Sequence, residues 1–340
     1  MVRFVYRVKN WEYWPVWILY TPVFFAYLFF SLKARDFSFL FNVNPGFKNG
    51  GFVNISKKEI YDLIPNKYYP KTILLHPTNE VKINELLDEF DFPFIVKPDK
   101  GLRGIMVQKV YNQPEFNRYH AKIKGSYLVQ ELIPFENEIG IFYTRHPRAA
   151  FGNITGIVEK QFFTITGDGI STIEQLIVID KRYSLQLKKL KLDIKIDLTQ
   201  ILPLGKKQIL VPIGNHNLGT QFLDVSDKIN TKITNTIDLI CKQIEGFNYG
   251  RIDLKFKSWK DLENGKNMSI IEINGALSEP AHIYDPKYSF FRGVSEIIRH
   301  HKIMYEISIE NKRRDPSKTT FISVMKELNT HFKEVAKLRG

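Results

Sequence analysis

Cysteine is almost missing from this chain. Cys241 is the only one in 340 residues, which excludes an intramolecular disulfide and any cysteine-cluster metal site, and fits a reducing cytoplasm. With Ile240 and Lys242 beside it on an expected helix, it reads as a small buried hydrophobe rather than a nucleophile. Two phosphate-binding signatures are also absent. There is no Gly-x-x-x-x-Gly-Lys-Ser/Thr loop leading into a helix, and the one basic glycine loop is not a dinucleotide fingerprint. No RNP-like aromatic pattern, zinc-finger spacing or helix-turn-helix signature accompanies the basic charge, so nucleic acid is not an expected partner. The apolar N-terminal run lacks a small-residue cleavage site, which argues against a secretory signal.

What the chain does have is length, apolar mass and positive charge. At 44% hydrophobic it is ample for one large α/β unit or two to three subdomains, and its formal charge of +13 suits nucleotide phosphates or an anionic membrane surface. From Tyr13 to Leu32 no residue is charged, and Trp14, Trp17, Tyr20, Phe24, Phe25, Tyr27, Phe29 and Phe30 crowd the run. Arg3, Arg7 and Lys9 precede it; Lys33 and Arg35 follow. Its length is just enough for a bilayer span, but Pro15, Pro22 and the aromatic load suit the interface better. Three readings stay open: an interfacial or re-entrant anchor, a span, or a helix packed on the protein or a partner, a homodimer contact included.

The most informative stretch is Tyr249-Gly-Arg-Ile-Asp-Leu-Lys-Phe256 followed by Met268-Ser-Ile-Ile-Glu-Ile-Asn-Gly275. Both read as strands, and residues two apart share a face. Arg251 with Asp253, and Glu272 with Asn274, are thus same-face polar pairs. The turn-rich Trp259 to Asn267 connection lets the strands pair as a hairpin. Oxygen ligands of this kind suit a hard cation such as Mg²⁺, which takes few protein carboxylates and leaves room for substrate phosphates.

A second signal is Phe92-Pro-Phe-Ile-Val-Lys-Pro98, a strand that runs into Asp99-Lys-Gly-Leu-Arg-Gly104 and a further strand, Ile105 to Val110. Gly101 and Gly104 let backbone amides approach a phosphate, Lys100 and Arg103 add charge, and Lys97 delivers an ammonium at the strand's end. Upstream, Phe41 to Phe52 reads as a loop, Ser56 to Glu59 as a capping box that opens a short helix stopped by Pro65, and Asn79 to Glu89 as a helix. Downstream, Ser126 to Ile133 reads as a strand that carries Gln130, Glu131, Leu132 and Ile133, and Glu138 lies where the next strand begins.

In order and spacing these elements resemble the ATP-grasp superfamily of carboxylate–amine ligases over roughly residues 50 to 290. The resemblance implies an α/β (α+β) fold, with the nucleotide held between two α+β subdomains and an aromatic helical segment at the N-terminus. It implies ATP and Mg²⁺ (or Mn²⁺) as cofactors. Lys57 and Lys97 would reach the phosphates, with Lys100, Gly101, Arg103 and Gly104 as the covering loop. Gln130 to Ile133 would read the adenine edge and Glu138 the ribose. Asp253, Glu272 and Asn274 would be metal ligands, and Arg251 would stand near the transferring phosphate.

Ser56-Lys57 and Val96-Lys97-Pro98 look like D-alanine–D-alanine ligases, whereas Thr166-Gly-Asp-Gly-Ile-Ser-Thr-Ile-Glu-Gln-Leu-Ile177 is similar to the ATP-grasp part of cyanophycin synthetases. In the latter segment Ser171 or Thr172 can cap a helix, and Asp168 is either a turn residue or a site residue. After Asn274 the chain departs from the D-alanine ligases, and Glu279, His282, Tyr284 and Asp285 suggest another acceptor pocket. Lys206 and Lys207 precede a strand and the loop Ile213-Gly-Asn-His-Asn-Leu-Gly219, whose His216, Asn217 and Gly219 are candidates for acyl-phosphate contact. Ile229, Ile233, Ile237, Ile240 and Ile244 recur at helical spacing and read as core.

The expected organisation is an aromatic segment (1–40), an N-terminal subdomain or linker (41–90), a small glycine-loop subdomain (91–135), a larger subdomain with the metal site (136–310) and a C-terminal helix (311–340). The expected activity is amide or peptide-bond formation through an acyl-phosphate from small carboxylate and amine substrates. A small-molecule kinase and a non-catalytic nucleotide-binding scaffold are the alternatives. ATP places the protein in the cytoplasm, and the cationic aromatic run allows attachment to the inner face of the membrane.

Overall fold

A computed structural model describes residues 2–52, 55–78, 89–101, 104–192, 196–211, 214, 219–314, 322, 325–326 and 329–330. The helix expected from Asn79, the loop residues Leu102 and Arg103, His216 and Asn217, and most of the segment beyond Arg314 lie outside the described residues.

The chain opens with α1 (Val2–Lys9) and α2 (Val16–Ala34), then α3 (Lys57–Leu63). Ser56 caps α3: its Oγ accepts from the Glu59 amide at 3.1 Å. A small antiparallel sheet comes next, built from β1 (Thr72–Leu75), β2 (Phe94–Pro98), β3 (Gln108–Val110) and, after α4 (Gln113–Lys122), β4 (Tyr127–Glu131), in the order β1-β4-β2-β3. Period-two alternation points Phe94 and Val96 of β2 at Phe116 and Tyr119 of α4. Its other face carries Ile95 and Lys97. The strand expected from Ile105 is shorter than read, because residues 104–106 form a turn with Gly104 and Met106 at positive φ.

The main sheet holds β5 (Asn137–Thr144), β6 (Asn153–Gln161), β9 (Gln221–Asp224), β10 (Tyr249–Phe256) and β11 (Met268–Asn274), in the order β11-β10-β5-β6-β9 and antiparallel throughout. One face is the largest core: Ile139, Ile141, Ile157, Ile252 and Leu254 pack with Ile233, Ile237, Ile240 and Ile244. The first three of that second set lie on α7 (Thr231–Lys242). Cys241 is fully buried among them. A satellite unit pairs β7 (Phe163–Thr166) with β8 (Lys207–Val211) over α5 (Ile173–Ile179) and α6 (Leu187–Leu190). Thr172 and Gln175 form a complete capping box at the start of α5.

Several expectations change. The Trp259 to Asn267 connection contains a short helix, α8 (Trp259–Glu263), because Ser258 caps it by accepting from Asp261. The Phe41 to Phe52 loop is largely buried. Asn44, fully buried, accepts from the Asn248 and Tyr249 amides at 2.8 Å each and donates to Gly50 and Tyr249 carbonyls, which ties the segment to the start of β10. A subdomain boundary at 90/91 would divide the small sheet, since β1 pairs with β4. One at 310/311 falls within α9 (Phe290–Arg314).

The aromatic N-terminal run packs on one side only. Leu19, Val23 and Phe30 of α2 are buried, with Phe30 stacked on Tyr305 of α9 at 5.4 Å. Trp17, Phe25, Phe29 and Leu32, on the other side, are each about 60–70% exposed.

Candidate functional site

The site grows from the β10–β11 hairpin. Register puts Arg251 opposite Asn274 and Asp253 opposite Glu272, so all four side chains share one sheet face. That is the pairing expected from the period-two pattern. On the other side of β10, Asp253 pairs with Gly140 of β5. A side chain at 140 would stand on this same face; an added Cβ would lie 2.8 Å from Asp253 Oδ1 and 3.0 Å from Arg251 Cδ. Glycine therefore leaves the middle of the face open.

Lys160, on β6, crosses that opening. Its ammonium donates to Glu138 Oε1 at 2.8 Å and lies 3.2 Å from Asp253 Oδ2, with all three side chains almost fully buried. Arg251 adds Nε–Oδ1 and Nη2–Oδ2 hydrogen bonds to Asp253 at 2.8 and 3.2 Å. Burial disfavours the Asp253 carboxylate, but Arg251 and Lys160 outweigh it and hold its pKa below the usual range. Burial likewise works against the Lys160 ammonium, and Asp253 and Glu138 more than restore it. Lys160 was not among the residues singled out from sequence, and Glu138, expected at a ribose, has one carboxylate oxygen committed to it. Gly214 presses on the same pair: an added Cβ would lie 2.7 Å from Glu138 Oε1 and from Lys160 Cδ.

The small sheet supplies the opposing wall. Lys97 reaches across from β2 and donates to Gln130 Oε1 and Tyr61 Oη, both at 2.9 Å, and to the Ile271 carbonyl of β11 at 3.3 Å. The Tyr61 hydroxyl donates to that same carbonyl. Burial pulls the Lys97 pKa down to about 8, with Glu272 opposing. Lys57, partly buried, donates to the carbonyls of Asp99 at 3.2 Å and Gly101 at 3.3 Å. Burial depresses it too, again against Glu272. Asp99 is itself fixed by Ser56 Oγ and the Lys58 amide, both at 2.9 Å. Lys97 thus touches the β11 backbone beside Glu272, whose charge favours the ammonium form of both lysines.

Among the described residues no group of three or more His, Cys, Asp or Glu side chains is gathered for a metal. The donor set here is mixed: two carboxylates opposite each other and the Asn274 amide. The Asn274 Nδ2 is buried without a partner, and a half-turn of the amide would put its oxygen there. Hard oxygen donors, few in number, fit a divalent cation that completes its shell with water and phosphate.

The remaining expected residues fall as follows. Glu131 is exposed, and its backbone N–H is taken by Lys71 at 2.9 Å; Leu132 and Ile133 continue as irregular chain. Asp168 is a half-buried turn residue whose carboxylate accepts from the Ile170 and Ser171 amides and the Ser171 hydroxyl, which lowers its pKa to about 2. Lys206 and Lys207 are exposed. The acceptor-pocket expectation changes for Glu279 and His282. Glu279 accepts from the hydroxyls of Tyr20 and, at 2.7 Å, Tyr284, so it ties α2 to the segment after β11. His282 is buried with Nε2 3.5 Å from Glu296 of α9. Asp285 accepts from the Asp224 amide at 2.8 Å. Tyr20, Asp224 and Glu296 lie outside the 275–285 segment, so spacing along it does not reveal these contacts.

No protein-family model and no curated protein matches the chain. Solved structures similar to it are ATP-grasp ligases. A D-alanine–D-alanine ligase from Bacillus anthracis aligns at 13% identity and a TM-score of 0.45, covering 76% of this chain and 69% of its own. A bifunctional glutathione synthetase from Pasteurella multocida aligns at 15% and 0.40, covering 72% of this chain but 35% of its own. The VanG D-Ala:D-Ser ligase from Enterococcus faecalis aligns at 15% and 0.40, covering 72% and 61%. This chain thus spans about a third of that glutathione synthetase's length. At these values the likeness concerns general architecture alone.

Proposed function

We propose that the chain is an ATP-dependent ligase that joins a carboxylate to an amine. The observation that carries this reading is the Lys97 ammonium, which reaches from the small sheet to within 3.3 Å of the Ile271 carbonyl of β11, next in sequence to Glu272 of the Asp253–Glu272 pair, while Lys57 is held on the Asp99 and Gly101 carbonyls that follow β2. Cations on one wall and oxygen donors on the other suit a polyphosphate.

In the first step a substrate carboxylate oxygen attacks the γ-phosphorus; the bond to the β,γ-bridging oxygen breaks and ADP leaves. In the second, an amine nitrogen attacks the acyl carbon; the C–O bond to phosphate breaks, phosphate departs and the amine proton passes to solvent. Lys57 and Lys97 hold phosphate oxygens. Arg251, locked in orientation by Asp253, faces the transferring group. Lys160 keeps Asp253 ionised. Asp253, Glu272 and Asn274 would hold Mg²⁺, which neutralises phosphate charge when bound. Positioning and charge carry such a transfer more than any general base.

The reading also sets the reaction at an anionic membrane surface. α2 is apolar all round, yet only one side of it is covered by protein. Its other side exposes Trp17, Phe25, Phe29 and Leu32, an apolar surface of the kind that marks a membrane or partner. Arg7, Lys9, Lys33 and Arg35 lie at the ends of the two helices, and each cation near anionic headgroups contributes on the order of 1 kcal/mol. A helix half-covered by its own protein suits a position in the interface plane rather than across it.

The test is product analysis. Protein with MgATP and a metabolite extract should release ADP and phosphate together with a new amide mass. A stable phosphorylated product would instead make it a kinase. Lys97→Ala and Asp253→Asn should each abolish turnover while keeping the fold; near-wild-type turnover in both variants overturns the assignment.

A further inference from the structure

We propose that the buried Glu12–Arg182 ion pair is a positioning device through which the N-terminal segment holds strand β9, and with it Lys160, in register at the site. The inference rests on reading the Asp253–Glu272 face as the MgATP site.

Arg182 lies between α5 and α6, some 170 residues from Glu12 in sequence. Its Nη1 donates to Glu12 Oε1 at 2.7 Å, and both side chains are more than nine-tenths buried. The rest of the guanidinium fork turns the other way: Nη2 donates to the Thr220 carbonyl at 3.0 Å and Nε to the Gly219 carbonyl at 3.4 Å. The Tyr13 ring covers the group at 5.7 Å. One planar cation therefore joins the N-terminal segment to two consecutive carbonyls.

Those carbonyls immediately precede β9. Among the described residues this is the edge strand of the main sheet and pairs with β6 alone, where Phe222 lies opposite Lys160. An edge strand has no second neighbour to fix its position, so its entry point must be held from elsewhere. Gly219 sits at φ +104, and an added Cβ would lie 2.8 Å from Phe163 Cδ1, so the entry is confined on its other side too. The path from Glu12 is continuous: Arg182, the Gly219–Thr220 backbone, Phe222 against Lys160, then Glu138 and Asp253. Lysine at 182 could keep the charge but could not span three acceptors in two directions. The N-terminal segment is thereby part of the site's support, in addition to any anchoring role. A second tie points the same way: Tyr20 of α2 reaches Glu279, five residues beyond Asn274.

Full-length Arg182→Met, Arg182→Lys and Glu12→Gln proteins test this with two readouts. Hydrogen exchange at residues 220–224 should quicken at least tenfold in Arg182→Met, with β5 and β10 unchanged. The kcat for MgATP-dependent ADP release should fall tenfold or more, while KM for MgATP stays within threefold, because Arg182 touches neither phosphate nor cation. Glu12→Gln should shift both readouts in the same direction by less, and Arg182→Lys should restore neither fully. Unchanged exchange at 220–224, or quickened exchange there with unchanged kcat, overturns the proposal. So does exchange that quickens equally in β5 and β10, which would mark a folding residue. If Arg182→Met fails to fold, Arg182→Lys and Glu12→Gln decide by the same criteria. Absence of ADP release from the wild-type protein would defeat the ligase reading, and the exchange comparison would still decide whether Arg182 holds β9.

Discussion

Lys160 and Asp253 stand on strands that do not pair with each other, yet their charged groups are 3.2 Å apart. The strand between them, β5, has glycine at position 140, and the contact forms over that gap. Glu138, on the same face of β5, completes a buried triad of one cation and two anions, to which Arg251 brings the second cation. The charges balance only when all four are present, since a lone buried ion is far costlier than a paired one.

Removing Lys160 should therefore damage both stability and activity. Lys160→Met leaves Glu138 without its ammonium and Asp253 with Arg251 alone, and should destabilise the protein by about 3–5 kcal/mol. The Lys160→Met/Glu138→Leu pair should recover part of that loss in urea unfolding, because the orphaned charge is gone. A single variant as stable as wild type would show that the ion pair is not buried as described.

Gly140→Ala isolates the geometry of the face. The new methyl would meet Asp253 Oδ1 at 2.8 Å, Arg251 Cδ at 3.0 Å and Val158 Cγ1 at 3.0 Å. Overpacking of this kind typically costs about 1–3 kcal/mol. Its larger effect should be on turnover, with a fall of tenfold or more as Asp253 and Arg251 are pushed aside. Retained turnover in this variant would remove the face from the chemistry.

Lys97 gives a pH dependence with a definite sign. Burial lowers its pKa from 10.5 to about 8, Glu272 opposing, so across that window the unfolded chain holds more protons than the folded one. Folding stability should accordingly rise as pH climbs from about 8 towards 10.5. Nucleotide affinity should move the opposite way. A polyphosphate favours the ammonium form, so binding weakens as Lys97 deprotonates, approaching tenfold per pH unit above about 8. Calorimetric titration with MgATP across this range is the check, and an affinity flat in pH would mean that Lys97 does not hold phosphate.

The exposed side of α2 predicts lipid binding. Full-length protein should float with phosphatidylglycerol-rich vesicles and much less with neutral ones. Phe25→Glu/Phe29→Glu should abolish flotation without altering the melting temperature, since neither ring is buried. Vesicle binding that survives these changes places the contact elsewhere; soluble dimers in gel filtration, lost in the same variant, would assign the face to a second copy.

The sequence by itself determined the elements whose signal is local. Alternation marked β10 and β11 and put Arg251, Asp253, Glu272 and Asn274 on one face, because a strand's period of two needs no partner to express itself. Apolar flanks marked β2 around Lys97, isoleucines at helical spacing marked α7, and Ser171-Thr172 marked the start of α5, with Thr172 the one that caps it. What only the tertiary structure decided depends on register between distant strands and on which charges neutralise which. Lys160 looks like any lysine on an amphipathic strand until β6 is laid beside β5 and its ammonium meets Glu138 and Asp253. Gly140 looks like a weak strand residue until it is seen to clear the space for that contact. Asn44 and its glycine-rich surroundings read only as a loop, since the two buried amides that Asn44 satisfies belong to residues some two hundred positions away. Glu12 and Arg182 carry no pattern at all; their value comes from a low-dielectric setting that exists only once the N-terminal segment has docked.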